Sequence, residues 1–241
     1  MNSSVENVQY EQVKHPFLQG IRDCIPTLLG YISIGVAFGI VGSASQLNMI
    51  EIALLTILVY AGSAQFIFCA LVLSGTPPLV IIFTIFIVNL RHFLMSLSVA
   101  PYFTKYSYLR NIGFGSLLTD ETFGVAITKL MQTKEMSGRW LDGLNITAYA
   151  AWIVSCLGGA LLGKWITAPE KWGLDFALIA MFVALLVLQL QSVGKTKLTK
   201  NLCLIGIVAI LMYIFSYFMP LHLAVILSTI FAAAIGVVMD R

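Results

Sequence analysis

The sequence predicts an all-α, polytopic helical membrane protein with about seven to eight transmembrane helices, at least one of them broken or re-entrant. Of its 241 residues, 59% are hydrophobic and only 10% are charged, whereas a soluble domain carries about 25% charged residues. A helix needs about 20 apolar residues to cross a bilayer. Eight apolar segments approach that length, at about 25–45, 50–73, 78–100, 112–130, 145–165, 173–191, 202–219 and 221–239.

These segments leave room for one membrane domain and for no soluble catalytic domain. We therefore expect a polar N-terminal lead over residues 1–23, without a cleavable signal peptide, and a single transmembrane domain over 24–241. The formal charge of +3 is small, and the basic residues lie between apolar segments, which is typical of membrane loops and not of nucleic-acid binding. The four cysteines lack metal-ligand spacing, so we expect them to be buried.

The first segment contains two features of a packed helix. Pro26 suits the first turn of a helix, so we expect the helix to begin close to it. Gly35-x-x-x-Gly39 is typical of a face that another helix approaches closely, as is Gly159-x-x-x-Gly163 in the fifth segment. For the first pair we favour close packing; a helix break that exposes backbone groups to a substrate is the alternative.

The second segment contains Tyr60-Ala61-Gly62-Ser63-Ala64-Gln65-Phe66. Four of these residues are small, and Gln65 is a polar side chain deep in an apolar segment. Such a stretch either packs closely against a neighbouring helix or unwinds and offers backbone and hydroxyl groups, as discontinuous transporter helices do. The sequence leaves both interpretations open.

The third segment carries Asn89, Arg91 and His92 near its middle. A charged side chain at that depth costs at least about 2.5–3.5 kcal/mol, so it persists where it is paired or lines a wet cavity. Asn89 and His92 share one helix face because they are three residues apart, and Arg91 lies beside them. We expect the rest of the protein to surround this site.

The fourth segment, Ile112 to Leu130, has Thr119-Asp120-Glu121-Thr122 at its centre. It suits a span with a broken middle, a re-entrant hairpin or an amphipathic surface helix. Adjacent residues point about 100° apart on a helix, so at most one acid faces Arg91. A charge pair between Arg91 and one acid is the purely structural interpretation of these residues.

Basic residues do not decide whether Ile112 to Leu130 crosses the membrane. With or without that crossing, the positive-inside rule places nine Lys and Arg residues on one side and four on the other. We favour eight spans because the stretch is close to spanning length.

Asp175, at the entrance of the sixth segment, suits a helix cap or a contact with the helix dipole. We find no convincing internal sequence repeat.

Signatures of enzymes are missing from the chain, and we expect neither catalysis nor a bound metal or cofactor. The sequence contains no His-Glu-x-x-His pair, no Gly-x-Ser-x-Gly motif and no complete phosphate-binding loop. The embedded groups carry both signs of charge and small-residue breaks, which suits a zwitterionic substrate. The candidate substrate-binding residues are Gly62, Ser63, Gln65, Asn89 and Arg91, and the candidates for proton coupling or a charge pair are His92, Asp120 and Glu121.

Four motifs occur in an order typical of a known family. They are Tyr60 to Phe66, Asn89-Leu90-Arg91-His92-Phe93-Leu94-Met95-Ser96 with Ala100-Pro101, Leu118-Thr119-Asp120-Glu121-Thr122-Phe123, and Gly173-Leu174-Asp175-Phe176. In motif order and length, the chain from about Phe17 onward resembles the AzlC family, the large subunit of branched-chain amino acid exporters, also called azaleucine-resistance or YgaZ-type permeases.

The resemblance implies a multi-pass protein of the bacterial inner membrane that exports valine, leucine, isoleucine and sometimes methionine. It implies a secondary transporter driven by an ion gradient, for which we expect proton coupling, and a small hydrophobic partner subunit of the AzlD type. It assigns no role to an individual residue, so the candidate site depends on the physical argument. The alternatives are a passive channel and a non-transporting scaffold for a small partner.

Overall fold

The computed structural model describes residues 15–133, 135–166, 195–219 and 221–239, with isolated positions at 171, 173, 176, 179–180, 183, 186–187 and 190. These residues contain helices and no strand, so the predicted all-α class is confirmed. Asp175, most of the predicted sixth segment and residues 1–14 of the polar lead lie outside the described residues.

Nine α-helices are described. They are α1 (Pro16–Ala44), α2 (Met49–Leu58), α3 (Gly62–Leu73), α4 (Pro78–Val99, continued by a 3-10 turn at Ala100–Phe103), α5 (Tyr108–Ser116), α6 (Asp120–Thr133), α7 (Gly138–Gly163), α8 (Lys195–Phe218) and α9 (Leu221–Met239). Within the described ranges, α1, α4 with its 3-10 turn, α7 and α8 are long and apolar enough to cross a membrane.

The chain divides into two compact units, residues 1–181 and 182–241. In the second unit α8 packs against α9, and Leu204 approaches Gly236 there. The first unit contains α1 to α7 and every candidate site residue. A single domain over residues 24–241 stays a prediction.

Helix α1 begins at Pro16, well before the predicted start, and Pro26 lies inside it and not in its first turn. The expectation failed because residues 16–24 are too polar to register as an apolar segment, although they pack onto the protein. Asp23 accepts a hydrogen bond of 2.8 Å from the indole of Trp140 and lies 3.6 Å from the ammonium of Lys129. These contacts hold the polar start of the helix in place.

Helices α1 and α7 form a tight parallel pair. Gly20 near the start of α1 lies against the backbone of Trp140 near the start of α7, and Gly163 at the end of α7 lies against Ile40. Residue numbers therefore rise together along the contact. We call the membrane side at which α1 and α7 begin the near side, and the side at which they end the far side.

The two predicted glycine motifs pack against each other in this pair. A Cβ atom on Gly39 would lie 2.1 Å from the carbonyl oxygen of Cys156, and one on Gly159 would lie 2.2 Å from that of Val36. No side chain fits at such distances, so the backbones touch directly. Close packing is confirmed as the reason for these glycines.

Helices α2 and α3 form a re-entrant hairpin that enters from the far side. Ile52 of α2 contacts Gly42 near the end of α1, and α3 runs back along α1 with Phe66 against Phe38. At the turn, the side-chain amide of Gln65 donates hydrogen bonds of 3.1 Å and 2.8 Å to the carbonyls of Leu55 and Val59. The predicted break is therefore present, and it reverses the chain direction.

Helices α5 and α6 form a second hairpin, which enters from the near side. Arg110 of α5 pairs with Asp142 near the start of α7 at 2.7 Å, and Lys129 of α6 lies 3.6 Å from Asp23 near the start of α1. Between these ends, Thr119 hydrogen-bonds Tyr31 at the middle of α1. Ile112 to Leu130 is thus a re-entrant hairpin, and the crossing that we favoured is wrong for this stretch, because the break at 117–119 turns the chain back.

The first unit contains two similar halves in opposite orientations. Residues 16–77 and 78–137 each contain a long helix, a helix of 10 or 9 residues, a break of three residues and a helix of 12 or 14 residues. Helix α4 leaves the far side and ends where the hydroxyl of Tyr106 accepts a hydrogen bond from Gly138 at the start of α7. The arrangement is an inverted-topology repeat of the kind common in transporters, which the sequence did not reveal.

Candidate functional site

The tips of the two hairpins, residues 59–61 and 117–119, meet beside Arg91 of α4. One guanidinium nitrogen of Arg91 lies 2.8 Å from the carboxylate of Asp120, and another donates a hydrogen bond of 2.7 Å to the hydroxyl of Ser63. Arg91 thereby joins the first turn of α3 to the first turn of α6. The predicted pairing of Arg91 with one acid is present, and Asp120 is that acid.

A cavity at this junction holds about one water molecule. Its volume is about 10 Å³, close to the smallest space that accommodates a water. It is lined by residues from both tips and from α1, α3, α4, α6 and α7: Tyr31, Tyr60, Ala61, Gly62, Arg91, His92, Thr119, Asp120, Glu121 and Trp152. We call it the charged cavity.

One wall of the charged cavity is the uncapped N-terminus of α3. Ala61 precedes the helix, and no side chain caps its first amides, so this end presents N–H groups and a partial positive charge. A Cβ atom on Gly62 would lie 3.1 Å from the indole of Trp152, which leaves little room for a side chain at this position. Together with Arg91, this wall suits a carboxylate.

The opposite wall is the acidic N-terminus of α6. Thr119 and Thr122 cap this helix reciprocally, since the amide of Thr119 donates 2.8 Å to the hydroxyl of Thr122. Asp120 and Glu121 occupy the first turn, where the helix dipole favours negative charge. Glu121 lies beside Tyr31 and Thr119. This wall suits an ammonium group.

Aromatic side chains close the charged cavity. Tyr31 and Trp152 pack edge to face with ring centroids 5.8 Å apart, and Tyr60 packs in the same way on Tyr149 at 4.8 Å. We did not predict these four residues as site residues. A signal was available, because Tyr31 and Trp152 lie at the middle of spanning segments, whereas Tyr and Trp in membrane helices concentrate at the interfaces.

The structure brings together five of the eight predicted site residues: Gly62, Arg91, His92, Asp120 and Glu121 all line the charged cavity. Ser63 does not line the cavity, but its hydroxyl accepts a hydrogen bond from Arg91. Asn89 lines a neighbouring cavity. Gln65 is fully buried and lines neither cavity, since its amide nitrogen binds the carbonyls of the first hairpin.

Two side chains that line the charged cavity each carry a buried polar atom without a partner. His92 Nε2 and Trp152 Nε1 are buried and have no hydrogen-bond partner within the described part of the chain. Because burying an unmatched polar group costs free energy, each such atom calls for an explanation, and a bound ligand or water is one. No three metal-binding side chains cluster among the described residues.

Comparison with known proteins agrees with the membrane fold. Inner membrane protein YgaZ of Escherichia coli (strain K12) is 26% identical over 199 residues, which cover 80% of each chain. The branched-chain amino acid transport protein AzlC of Bacillus subtilis (strain 168) is 23% identical over 188 residues, covering 76% of this chain and 72% of that protein. An uncharacterized membrane protein of Archaeoglobus fulgidus is 28% identical over 178 residues, covering 73% and 77%.

No solved structure matches the chain. The family model described as AzlC protein matches residues 26–166, which is more than half of the chain and includes both hairpins and the charged cavity. These matches support a multi-pass membrane protein with a role in transport. The chain belongs to the AzlC family.

Proposed function

We propose that this protein is the large subunit of a two-component secondary transporter that exports branched-chain amino acids. Its substrates would be valine, leucine, isoleucine and methionine, its location the bacterial inner membrane, and its partner a small hydrophobic subunit of the AzlD type. The observation that carries the proposal is the contact of Arg91 with both Ser63 and Asp120. Through these two contacts one cation, Arg91, lies between the uncapped N-terminus of α3 and the acidic N-terminus of α6, at the middle of the membrane domain.

This arrangement matches the two charges of an amino acid. The substrate carboxylate binds Arg91 and the free amides of Gly62 and its neighbours, and the ammonium group binds Asp120 or Glu121. Because the charged cavity holds only about one water, the substrate displaces Arg91 from Asp120 as it enters. The name of the Bacillus subtilis relative, a branched-chain amino acid transport protein, supports this class of substrate.

The same groups offer a route for protons. His92 and Glu121 are titratable side chains on two walls of the charged cavity, and intramembrane acids and histidines commonly relay protons in transporters. Protonation of Glu121 would release a bound ammonium group, which couples proton entry to substrate exit.

The near side of the membrane domain corresponds to the cytoplasm in this proposal. Lys and Arg residues collect at the near-side ends of the helices and hairpins, whereas the far-side turns at 45–48 and 74–77 contain none, and Lys164 lies at the far end of α7. Cytoplasmic loops are enriched in Lys and Arg. The near-side residues are Arg22, Lys105, Arg110, Lys129 and Arg139.

Valine transport by proteoliposomes that contain both subunits tests the proposal. Losing a charge-assisted hydrogen bond costs about 1.5–3 kcal/mol, so we expect Arg91→Gln to lower the rate by about tenfold or more. Glu121→Gln removes the response of transport to a pH gradient. Arg110→Gln is the matched control, because Arg110 also pairs with an aspartate but lies outside the charged cavity.

Full transport by both cavity variants would contradict the proposed site. Flux that neither saturates with valine nor responds to a pH gradient would indicate a passive channel. Normal valine export by the small partner subunit alone would indicate a scaffold.

A further inference from the structure

A second cavity lies between the two hairpin tips. Its volume is about 400 Å³, within the range of about 300–1,000 Å³ typical of small-molecule sites. A little more than half of its wall is apolar, and the apolar part comes from the end of α2, the first tip, the face of α4 and the second tip. We call it the aliphatic pocket, and its principal apolar residues are Ile57, Leu58, Val59, Ile85 and Leu117.

The aliphatic pocket adjoins the charged cavity directly. Tyr60, Ala61 and His92 line both of them, so only these side chains and the first tip separate the two spaces. The charged cavity offers both signs of charge but room for about one water. The aliphatic pocket offers volume and apolar surface but no acid and no arginine.

Asn89 and His92 line the aliphatic pocket from α4. Asn89 Oδ1 and His92 Nε2 are buried, and neither has a hydrogen-bond partner in the described ranges. A cavity that served packing alone would leave these atoms unsatisfied at a cost in free energy. Rotation of these two side chains would let a polar group of a bound molecule, or a water that accompanies it, satisfy them.

We propose that the aliphatic pocket binds the branched side chain of the transported amino acid, and that Ile85 and Leu117 set the largest side chain it accepts. This inference depends on the proposed function, because it divides one substrate between two adjacent spaces. The charged head lies beside Arg91, and the side chain extends past His92 between the hairpin tips.

Ile85 and Leu117 are the residues that suit a size limit. They face the pocket from opposite walls, α4 and the second tip, and both are half-buried. Leu58 also lines the pocket but is 74% exposed, so a change there alters the surface more than the volume. Neither Ile85 nor Leu117 contacts the charged cavity.

Competition between amino acids tests the size limit. Proteoliposomes with both subunits exchange labelled valine in the presence of unlabelled alanine, leucine or phenylalanine, and the half-inhibitory concentrations are compared. Ile85→Trp narrows the pocket, so we expect the half-inhibitory concentration of leucine to rise about tenfold or more relative to that of alanine, a discrimination in the range that a pocket achieves for one methylene. Leu117→Ala enlarges the pocket, so we expect the half-inhibitory concentration of phenylalanine, relative to that of alanine, to fall by a similar factor.

Ile82→Trp is the matched control, because Ile82 lies on the same helix, is 66% exposed and lines neither cavity. If Ile85→Trp and Leu117→Ala retain transport but leave the ratios of half-inhibitory concentrations unchanged, the inference is overturned. The proposed function would still stand. If Ile85→Trp does not fold, the ratio in Leu117→Ala decides alone. Wild-type protein that transports no amino acid would overturn the proposed function, and the inference would fall with it.

Discussion

Arg91 and Asp120 form an ion pair of 2.8 Å although they belong to different elements, one to the middle of α4 and one to the first residue of α6. Their side chains are 25% and 21% exposed. A charge at this depth needs a partner, so the pair fixes the tip of the second hairpin against α4. The contact is therefore structural as well as a candidate for substrate exchange.

Removing one member of this pair is expected to destabilise the protein more than removing both. Asp120→Asn leaves the Arg91 charge without its carboxylate, at a cost of about 3 kcal/mol. The double variant Arg91→Gln, Asp120→Asn removes both charges and should regain most of that stability without regaining transport. Thermal unfolding in detergent measures the first effect and valine exchange the second. Equal melting temperatures for the single and double variants would contradict this prediction.

Gln65 is expected to stabilise the first hairpin and not to bind substrate. Gln65→Met keeps the side-chain length but leaves the carbonyls of Leu55 and Val59 without their amide donor, which costs about 1–3 kcal/mol. We expect a lower melting temperature and an unchanged ratio between the half-inhibitory concentrations of leucine and alanine in the competition assay. Ser74→Ala removes a hydrogen bond from an exposed turn and is the control. A changed ratio with normal stability would place Gln65 in the binding site.

Adjacent glycines in α7 are expected to respond differently to the same substitution. A Cβ atom at Gly159 would lie 2.2 Å from the carbonyl oxygen of Val36, whereas one at Gly158 meets nothing within 4 Å. Gly159→Ala forces α1 and α7 apart and should cost about 1–3 kcal/mol, in the range of an overpacked core. Gly158→Ala should leave the melting temperature unchanged or raise it slightly. Similar losses in both variants would contradict the direct backbone contact.

Positions 105 and 135 flank the second hairpin. Because a re-entrant hairpin returns to the side from which it entered, we expect both positions on the same side of the membrane. Single cysteines at Lys105 and Glu135 should react with a membrane-impermeant reagent from the cytoplasmic side, and one at Ser74 from the opposite side. Cys203, which is exposed and not buried as expected, is replaced by serine in the background. Reaction of positions 105 and 135 from opposite sides would indicate that Ile112 to Leu130 crosses the membrane.

Local patterns were sufficient to predict the helical membrane class, and they placed the break near Gly62 and the pairing of Arg91 among the interpretations that stayed open. Each depends on residues that lie close together in sequence or on the cost of an isolated charge. The direction of the chain after each break was not predictable in this way. Two short apolar helices joined by a turn have the same hydropathy as one spanning helix, so 50–73 and 112–130 both resembled spans.

The role of Gln65 was missed for a related reason. A buried amide in a transporter suggests a ligand contact, but only the hairpin geometry reveals that its nitrogen lies beside the carbonyls of Leu55 and Val59. Tyr31 and Trp152 reach the site from α1 and α7, which are far apart in sequence. Sequence spacing could not bring them together, although their mid-segment positions were visible.

The two contacts of Arg91 also bear on what happens at this residue if one hairpin moves. If the second hairpin withdraws, Arg91 loses Asp120 but keeps Ser63, and if the first withdraws it keeps Asp120. Either movement breaks one of these two contacts, which costs about 1.5–3 kcal/mol for a charge-assisted hydrogen bond, and leaves the guanidinium hydrogen-bonded. The withdrawal of a single hairpin thus never leaves Arg91 as an isolated charge.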